Sequence, residues 1–122
     1  MPSVAIIGAS NTREKYGNKA VRAYLRQGWT VYPVNPNERS VEGLPTFASV
    51  TDIPGPVDRA SLYLPPHLGV GVLEGIKAKG IKELYVNPGA ESDELLTEAR
   101  RRKLNVIAAC SIIGIGRSPS SF

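Results

Sequence analysis

Short apolar runs alternate along this chain with segments whose apolar residues recur at helical spacing. The first run, Val4–Ile7, is apolar at every position and ends at Gly8, a pattern typical of a strand buried on both faces of a parallel sheet. From Asn18 the apolar residues recur at helical spacing with basic residues between them, and Gly28 then occupies the position of a C-terminal cap. The pattern therefore predicts a first strand over 4–7 and a helix over 18–27.

The same signals predict four more strands and two more helices. The later strands are Trp29–Val34, Arg59–Leu64, Glu83–Val86 and Asn105–Ala109. The later helices run from Leu68 to Gly80 and from Ser92, as N-cap, to Lys103. Because strands alternate with helices, the sheet should be parallel with right-handed crossovers. We expect one domain over residues 1–122, with an α/β, Rossmann-like three-layer fold and a five-stranded parallel sheet in the strand order 3-2-1-4-5.

Composition and charge are those of an ordinary soluble globular protein and narrow the choice of partner. Hydrophobic residues make up 42% of the 122 residues, charged residues 21%, and the formal net charge is +4. This mild basic excess suits a small phosphorylated ligand as well as a nucleic acid. The basic run Arg100–Lys103 lies at the negative end of its helix and contains no aromatic residues, so we interpret it as dipole compensation and expect no nucleic-acid partner.

The single cysteine and the lengths of the apolar runs indicate the cellular compartment of the protein. Cys110 alone excludes an intramolecular disulfide and leaves no thiolate cluster for zinc, so we expect no metal and a reducing, cytoplasmic environment. The run Val106–Ile115 is about half of the ~20 residues needed to cross a bilayer, and no signal peptide is expected before Val4. The tail Ser111–Phe122 leaves two alternatives open, a fold back on the sheet edge or docking on a second subunit.

The loop that follows the first strand is a candidate phosphate site. The stretch Val4–Asn18 has the order strand, turn, helix, in which backbone N–H groups and the positive end of the helix can hold a phosphate. Arg13 and Lys15 add positive charge to this loop. The G-x-G-x-x-G fingerprint of dinucleotide-binding folds is missing, because only Gly8 and Gly17 are present.

The end of the second strand bears on which nucleotide is bound. NAD-binding folds place an acidic residue there to hold the ribose hydroxyls, whereas this chain has Asn35, with Glu38 some residues beyond. In open parallel sheets, ligands bind beyond the carboxyl ends of the strands, where the strand order reverses. This rule brings together four loops, Gly8–Asn18, Asn35–Arg39, Pro65–His67 and Asn87–Glu91.

Several motifs, taken in order, resemble the small single-domain CoA-binding protein family, which is similar to the N-terminal domain of the succinyl-CoA synthetase α subunit. They are Gly8-Ala9-Ser10 with Lys15-Tyr16-Gly17-Asn18, Val34-Asn35-Pro36-Asn37, Gly43-Leu44-Pro45, Leu64-Pro65-Pro66 and Asn87-Pro88-Gly89-Ala90-Glu91. The resemblance covers nearly the whole chain up to about Cys110.

This resemblance implies coenzyme A as the ligand and a set of binding residues. The first loop would hold the CoA phosphates, Asn35-Pro36-Asn37 would close over the nucleotide end, and Leu64-Pro65-Pro66 would form an apolar wall. The implied binding residues are Gly8, Ala9, Ser10, Arg13, Lys15, Asn18, Asn35, Pro36, Asn37, Leu64, Pro65 and Pro66. Backbone amides with Arg13 and Lys15 suit a ligand that carries several phosphates.

We therefore predict non-catalytic binding of coenzyme A or an acyl-CoA. A ligase of the succinyl-CoA synthetase type needs a phosphorylatable histidine in a second domain, and the single histidine, His67, has no identified carboxylate partner. Two other functions stay open, an NAD(P)-dependent oxidoreductase, favoured by the fold alone, and a subunit of a larger acyl-CoA enzyme. Cys110 is either a core residue or a thiol within reach of a mixed disulfide with CoA.

Overall fold

A computed structural model describes residues 2–122 and shows a central sheet of five parallel strands. The strands in chain order are β1 (Ser3–Ile7), β2 (Thr30–Val34), β3 (Ser40–Val41), β4 (Leu44–Pro45), β5 (Arg59–Leu62), β6 (Glu83–Val86) and β7 (Val106–Ala108). The helices are α1 (Tyr16–Arg26), α2 (Pro66–Gly69), α3 (Leu73–Lys79), α4 (Asp93–Arg101) and α5 (Ser111–Gly114). β3 and β4 form a separate antiparallel pair, and the other five strands form the sheet.

The predicted fold class is confirmed, but the predicted strand order is wrong. The sheet has the order β2-β1-β5-β6-β7, which is 2-1-3-4-5 when its five strands alone are numbered, and not 3-2-1-4-5. The third sheet strand thus pairs with β1, in the register Ala5 to Ala60, and not with β2. The five-stranded parallel sheet and the helical layers are as expected.

Proline at position 33 accounts for this difference. The Pro33 carbonyl accepts a hydrogen bond from Phe47 N–H at 3.0 Å, and Phe47 O accepts one from Asn35 N–H at 2.9 Å, so Pro33 faces the outer edge of β2. A proline has no N–H to donate, so a further full strand on that side would lack a ladder hydrogen bond. β2 is therefore an edge strand, and the chain crosses to the free side of β1.

Most element boundaries agree with the sequence pattern, and the largest difference concerns one helix. The helix predicted from Leu68 to Gly80 is divided into α2, a 3-10 turn over Val70–Val72, and α3. A Cβ added at Gly69 would lie 3.1 Å from the Leu62 side chain, so this glycine lets α2 sit close to the sheet. Gly80 has a φ of +75° and ends α3 as predicted.

Alternating residues of β1 divide the core between the two faces of the sheet. Val4 and Ile6 belong to a cluster with Val21 and Tyr24 of α1. Ala5 and Ile7 belong to a second cluster, with buried side chains from α3, β6 and α4, among them Leu73, Ile76, Leu84 and Leu95. All four β1 residues are at most 2% exposed, as expected for a strand covered on both faces.

The tail folds back onto α1 and the α1 face of the sheet, whereas one of the two predicted alternatives placed it on the sheet edge. Ile112 of α5 is fully buried in the cluster that contains Val4 and Ile6. Gln27 Nε2 donates to Ile115 O at 2.8 Å, and Arg117 donates to Gln27 Oε1. The tail thus covers a face of the sheet and not its edge.

No helix within residues 2–122 is long and apolar enough to span a membrane.

A buried polar network ties the tail to the middle of the sheet. Asn87, which follows β6 and is 1% exposed, donates from Nδ2 to Ser61 Oγ and to Leu62 O, both at 2.9 Å. Its Oδ1 accepts from Ser111 N–H at 2.9 Å, and the Ser61 and Ser111 hydroxyls lie 2.6 Å apart. One amide side chain thus satisfies groups of β5 and α5 together.

Replacing Asn87 by alanine should strongly destabilise the protein. The change leaves the buried Ser111 N–H without an acceptor and removes the side-chain hydrogen bonds to Ser61 Oγ and Leu62 O, which should lower the free energy of unfolding by about 3 kcal/mol. Chemical denaturation measures this loss. Asn105→Ala is the matched control, because Asn105 is exposed, and it should change the stability by less than about 0.5 kcal/mol. Equal effects of the two changes would contradict the role of the network.

Candidate functional site

Three cavities lie side by side at the carboxyl ends of the strands. The central cavity has a volume of about 670 Å³ and is bordered by the residues that follow β1, β2, β5 and β6. Its lining residues are Gly8, Ala9, Ser10, Thr12, Lys15, Tyr16, Gly17, Asn35, Asn37, Glu38, Tyr63, Leu64, Pro65, Pro88, Gly89 and Ala90. The strand order reverses between β1 and β5, so this cavity lies where open parallel sheets bind ligands.

The central cavity has one neighbour on each side. The outer cavity, of about 490 Å³, lies beside β2 and α3 and shares Gly8, Asn35, Asn37 and Leu64 with the central one. The Cys110 cavity, of about 250 Å³, shares Tyr16, Tyr63 and Pro88 with the central one. The three cavities therefore adjoin one another along the sheet edge, and we call this row of cavities the groove.

Two glycines allow the first loop to approach the sheet and α1. Gly8 has a φ of +96°, and its N–H donates to Val34 O at 3.1 Å. A Cβ added at Gly17, in the first turn of α1, would overlap the Gly8 carbonyl oxygen. Gly17 thus lets the helix begin directly against the end of β1, so its N-terminus reaches the central cavity. The prediction of site residues did not include Gly17, although a glycine in the first helical turn after such a loop is a signal for close packing.

Lys15 and the N-terminal end of α1 place positive charge at the central cavity. Lys15 is the exposed N-cap residue of this 11-residue helix, and the first turn contains no acidic side chain. Asn18 N–H already donates to Lys15 O at 3.1 Å, so only the N–H groups that precede it at the start of α1 remain for a ligand, and the helix dipole makes this end positive. Glu38 also lines the cavity, and it accepts a hydrogen bond from Asn11 Nδ2. The arrangement suits an anion near Lys15.

Asn35 joins the loops that follow β1 and β2. Its Nδ2 donates to Ala9 O at 2.7 Å, and its Oδ1 accepts from Asn37 N–H at 2.8 Å. Asn35 and Asn37 line both the central and the outer cavity, and Pro36 lines the outer one. The place that would hold a carboxylate in an NAD-binding fold is thus taken by a neutral amide that positions the neighbouring loop.

Two of the predicted residues, Arg13 and Asn18, support the first loop from outside the three cavities. Asn18 is fully buried; its Nδ2 donates to Ser10 O at 2.8 Å and to Glu42 at 3.1 Å, and its Oδ1 accepts from Arg22 at 2.7 Å. Arg13 lies 3.5 Å from Glu42 and is exposed. Both side chains hold the conformation of the loop.

The structure brings most of the predicted site residues together. Gly8, Ala9, Ser10, Lys15, Asn35, Asn37, Leu64 and Pro65 line the central cavity, and Pro36 lines the outer cavity. Pro66 begins α2 and, like Arg13 and Asn18, is not among the lining residues of these cavities. Tyr16, Tyr63 and Pro88 line the groove but were not in the predicted set. Tyr63 and Pro88 follow strand ends, so the rule that gathered the four loops could have found them.

The buried hydroxyl of Tyr63 lies between the groove and the polar network. It is within 3.3 Å of Ser111 Oγ, and burial raises the pKa of Tyr63 to about 12. The neutral phenol is therefore favoured in the folded state.

The other titratable candidate, His67, is exposed, and no carboxylate within residues 2–122 lies at ion-pair distance from it. In the same range, no group of three acidic, histidine or cysteine side chains is placed to hold a metal ion.

Fold and groove together define a Rossmann-like α/β domain with a candidate ligand site at its topological switch point. The family model described as "CoA binding domain" matches residues 2–115, and the chain belongs to this family. The acetate–CoA ligase (ADP-forming) II subunit alpha of Pyrococcus furiosus is 38% identical over 84 residues, which are 68% of this chain and 18% of that protein. The acetate–CoA ligase (ADP-forming) II of Archaeoglobus fulgidus is 37% identical over 108 residues, 85% of this chain and 16% of that protein.

A solved structure of similar size has the same fold. A conserved hypothetical protein from Pyrococcus furiosus superimposes with a TM-score of 0.85 and 32% identity, covering 93% of this chain and 99% of that chain. By contrast, the chain spans less than a fifth of the length of the two ligase relatives. The resemblance deduced from the motifs is thus confirmed at the level of the family and the fold.

Adding a methyl group at Gly17 should disturb the first loop. Because the new Cβ would overlap the Gly8 carbonyl, α1 or the loop must shift, and Gly17→Ala should lower the free energy of unfolding by about 1–3 kcal/mol. Gly55→Ala is the control, since a Cβ there meets no atom within 4 Å and Gly55 has no positive φ. Urea denaturation of both variants is the measurement, and a Gly17→Ala protein as stable as the control contradicts the close-approach role.

Tyr63 should make stability fall at high pH. Its pKa is about 12 in the folded state and about 10 in the unfolded chain, so its stabilising effect is complete below pH 10 and is lost as the pH rises through 12. The free energy of unfolding, measured from pH 8 to pH 12, should therefore fall less in Tyr63→Phe than in the wild type. Tyr16→Phe changes an exposed tyrosine and should retain the wild-type fall. A Tyr63→Phe curve that parallels the wild type would contradict this assignment.

Proposed function

We propose that this chain binds coenzyme A or an acyl-CoA thioester in the groove and catalyses no reaction on it. The observation that carries the proposal is the distribution of charge along the groove. Lys15 and the N-terminal end of α1 meet at the central cavity, and the neighbouring cavities are lined mainly by uncharged and apolar side chains. In coenzyme A the pyrophosphate stands between a 3′-phosphorylated nucleoside and the uncharged pantetheine arm, so the pyrophosphate would lie beside Lys15.

The phosphates would lie against the loop after β1. Backbone N–H groups of the first turn of α1 and the Lys15 ammonium supply hydrogen bonds and positive charge there. The Ser10 hydroxyl accepts a hydrogen bond from Thr12 N–H at 3.0 Å, so its own proton is free to be donated to a phosphate oxygen. Asn18 and Arg13 would act as positioning residues, because their side chains hold the loop through Ser10, Arg22 and Glu42.

The nucleoside would lie in the outer cavity. Val34, Val50, Leu64 and Val72 supply apolar contacts, and Asn35 and Asn37 supply neutral polar groups at the boundary with the central cavity. An asparagine does not repel a phosphorylated ribose as a carboxylate would. This difference supports coenzyme A over NAD, whose adenosine ribose carries no phosphate.

Binding without catalysis is supported by the lack of a suitable acid–base pair among the described residues. His67 is exposed and has no carboxylate partner within residues 2–122. The Tyr63 phenol is held neutral by burial, and a pKa of about 12 makes it a poor proton donor near neutral pH.

A second candidate, a subunit that contributes its ligand site to a larger acyl-CoA enzyme, is favoured by the relatives. The chain matches less than a fifth of the length of two acetate–CoA ligases, so the same domain occurs within much longer proteins. Affinity purification of the tagged chain from its native cell, followed by mass spectrometry, separates the two candidates. Stoichiometric recovery of a partner subunit supports the second, and recovery of the chain alone supports the first.

Calorimetry with CoA and NAD tests the proposed ligand. CoA should bind and NAD should bind at least tenfold more weakly, and tight NAD binding without CoA binding would overturn the proposal. Lys15→Met should weaken CoA binding by roughly tenfold, because a charge-assisted hydrogen bond is lost. Lys82→Met is the matched control, since Lys82 is exposed and precedes β6, at the opposite edge of the sheet, and it should leave the affinity within about twofold of the wild type.

A further inference from the structure

The Cys110 cavity has no charged lining residue, whereas the adjoining central cavity is lined by Lys15 and Glu38. None of its lining residues is acidic or basic; they include Tyr63, Asn87, Cys110 and Ile113. Lys19 lies over the ring of Tyr16, 5.2 Å from its centroid, and Lys15 lines the adjoining central cavity, but neither lysine lines the Cys110 cavity. A ligand group in this cavity therefore meets no charged partner.

Asn87 and Tyr63, two of the polar side chains that line the Cys110 cavity, are engaged within the protein. Both hydrogens of Asn87 Nδ2 are donated, to Ser61 Oγ and Leu62 O, and Asn87 Oδ1 accepts from Ser111 N–H. The Tyr63 hydroxyl lies within 3.3 Å of Ser111 Oγ. These groups are not free to replace the water around a carboxylate, and burying an unpaired charge is costly.

The order of the three cavities indicates which cavity would hold each end of an acyl-CoA. If the phosphates lie in the central cavity, the two ends of an acyl-CoA lie on either side of it. The outer cavity, of about 490 Å³, is the larger and has Asn35 and Asn37 at its boundary, which suits the nucleoside. The Cys110 cavity, of about 250 Å³, is left for the sulfur end.

We propose that the Cys110 cavity holds the acyl group of an acyl-CoA, and that it selects short neutral acyl groups over acyl groups that carry a carboxylate. The selection rests on the proposed CoA binding, and it follows from the uncharged lining and the engaged polar atoms. Ile113 is the residue through which the selection can be altered, because its side chain lines the cavity and is 63% exposed. A substitution there changes the cavity without changing the core.

Butyryl-CoA and succinyl-CoA are a matched pair of probes, since both acyl groups contain four carbon atoms and only one has a terminal carboxylate. Calorimetry on the full chain with CoA, acetyl-CoA, butyryl-CoA and succinyl-CoA measures the selection. Butyryl-CoA should bind more tightly than acetyl-CoA, by up to about fourfold for each additional buried methylene group. It should also bind at least tenfold more tightly than succinyl-CoA.

Two lysine substitutions test where the selection arises. Ile113→Lys places a cation at the Cys110 cavity and should shift the ratio of succinyl-CoA to butyryl-CoA affinity by at least tenfold in favour of succinyl-CoA. Leu68→Lys is the matched control, because Leu68 is 51% exposed and lines the outer cavity. It should change both affinities by the same factor and leave their ratio as in the wild type.

The outcomes distinguish this inference from the proposed function. If CoA itself does not bind, the proposed function fails and the acyl site fails with it. If CoA binds but the wild type does not distinguish butyryl-CoA from succinyl-CoA, CoA binding stands and the acyl site is overturned. The acyl site is also overturned if both lysine variants shift the ratio equally.

Discussion

The contact between the first turn of α1 and the end of β1 is the constraint on which the rest of the site depends. Gly17 lies so close to the Gly8 carbonyl that no larger residue fits without a shift of the backbone. This approach brings Lys15 and the positive end of the helix to the carboxyl edge of the sheet. It also fixes both ends of the intervening loop, which side-chain hydrogen bonds from Asn18 and Asn35 then hold in place.

Three asparagines, Asn18, Asn35 and Asn87, hold the loops around the groove, and each bonds to more than one segment. An amide both donates and accepts, so one side chain can satisfy groups from two loops without adding a charge. The net electrostatic character of the central cavity is therefore set by Lys15, by the helix end and by Glu38. Neutral supports of this kind are compatible with an anionic ligand, whereas carboxylates in the same places would repel it.

The candidate site lies at the same edge of the sheet in the predicted strand order and in the observed one. In the predicted order 3-2-1-4-5 and in the observed order, β1 lies next to the point where the order reverses, so the loop after β1 belongs to the site in both. The neighbour of β1 on that side differs, however. With β5 in this place, Tyr63 and Leu64 border the central cavity directly, and Phe47 occupies the outer edge of β2.

The sequence by itself determined the strands, the main helices, the family and the loops that meet at the sheet edge, because periodicity and turn residues are local signals. Only the tertiary structure decided which loop side chains face the groove and which face the protein. Asn18 points to Ser10 and Glu42, and Gln27 bonds to Ile115, 88 positions away. Loops have no regular period from which such directions follow. Contacts between distant segments therefore decide that the first loop faces the groove and that the buried Asn18 side chain supports this loop from the protein interior.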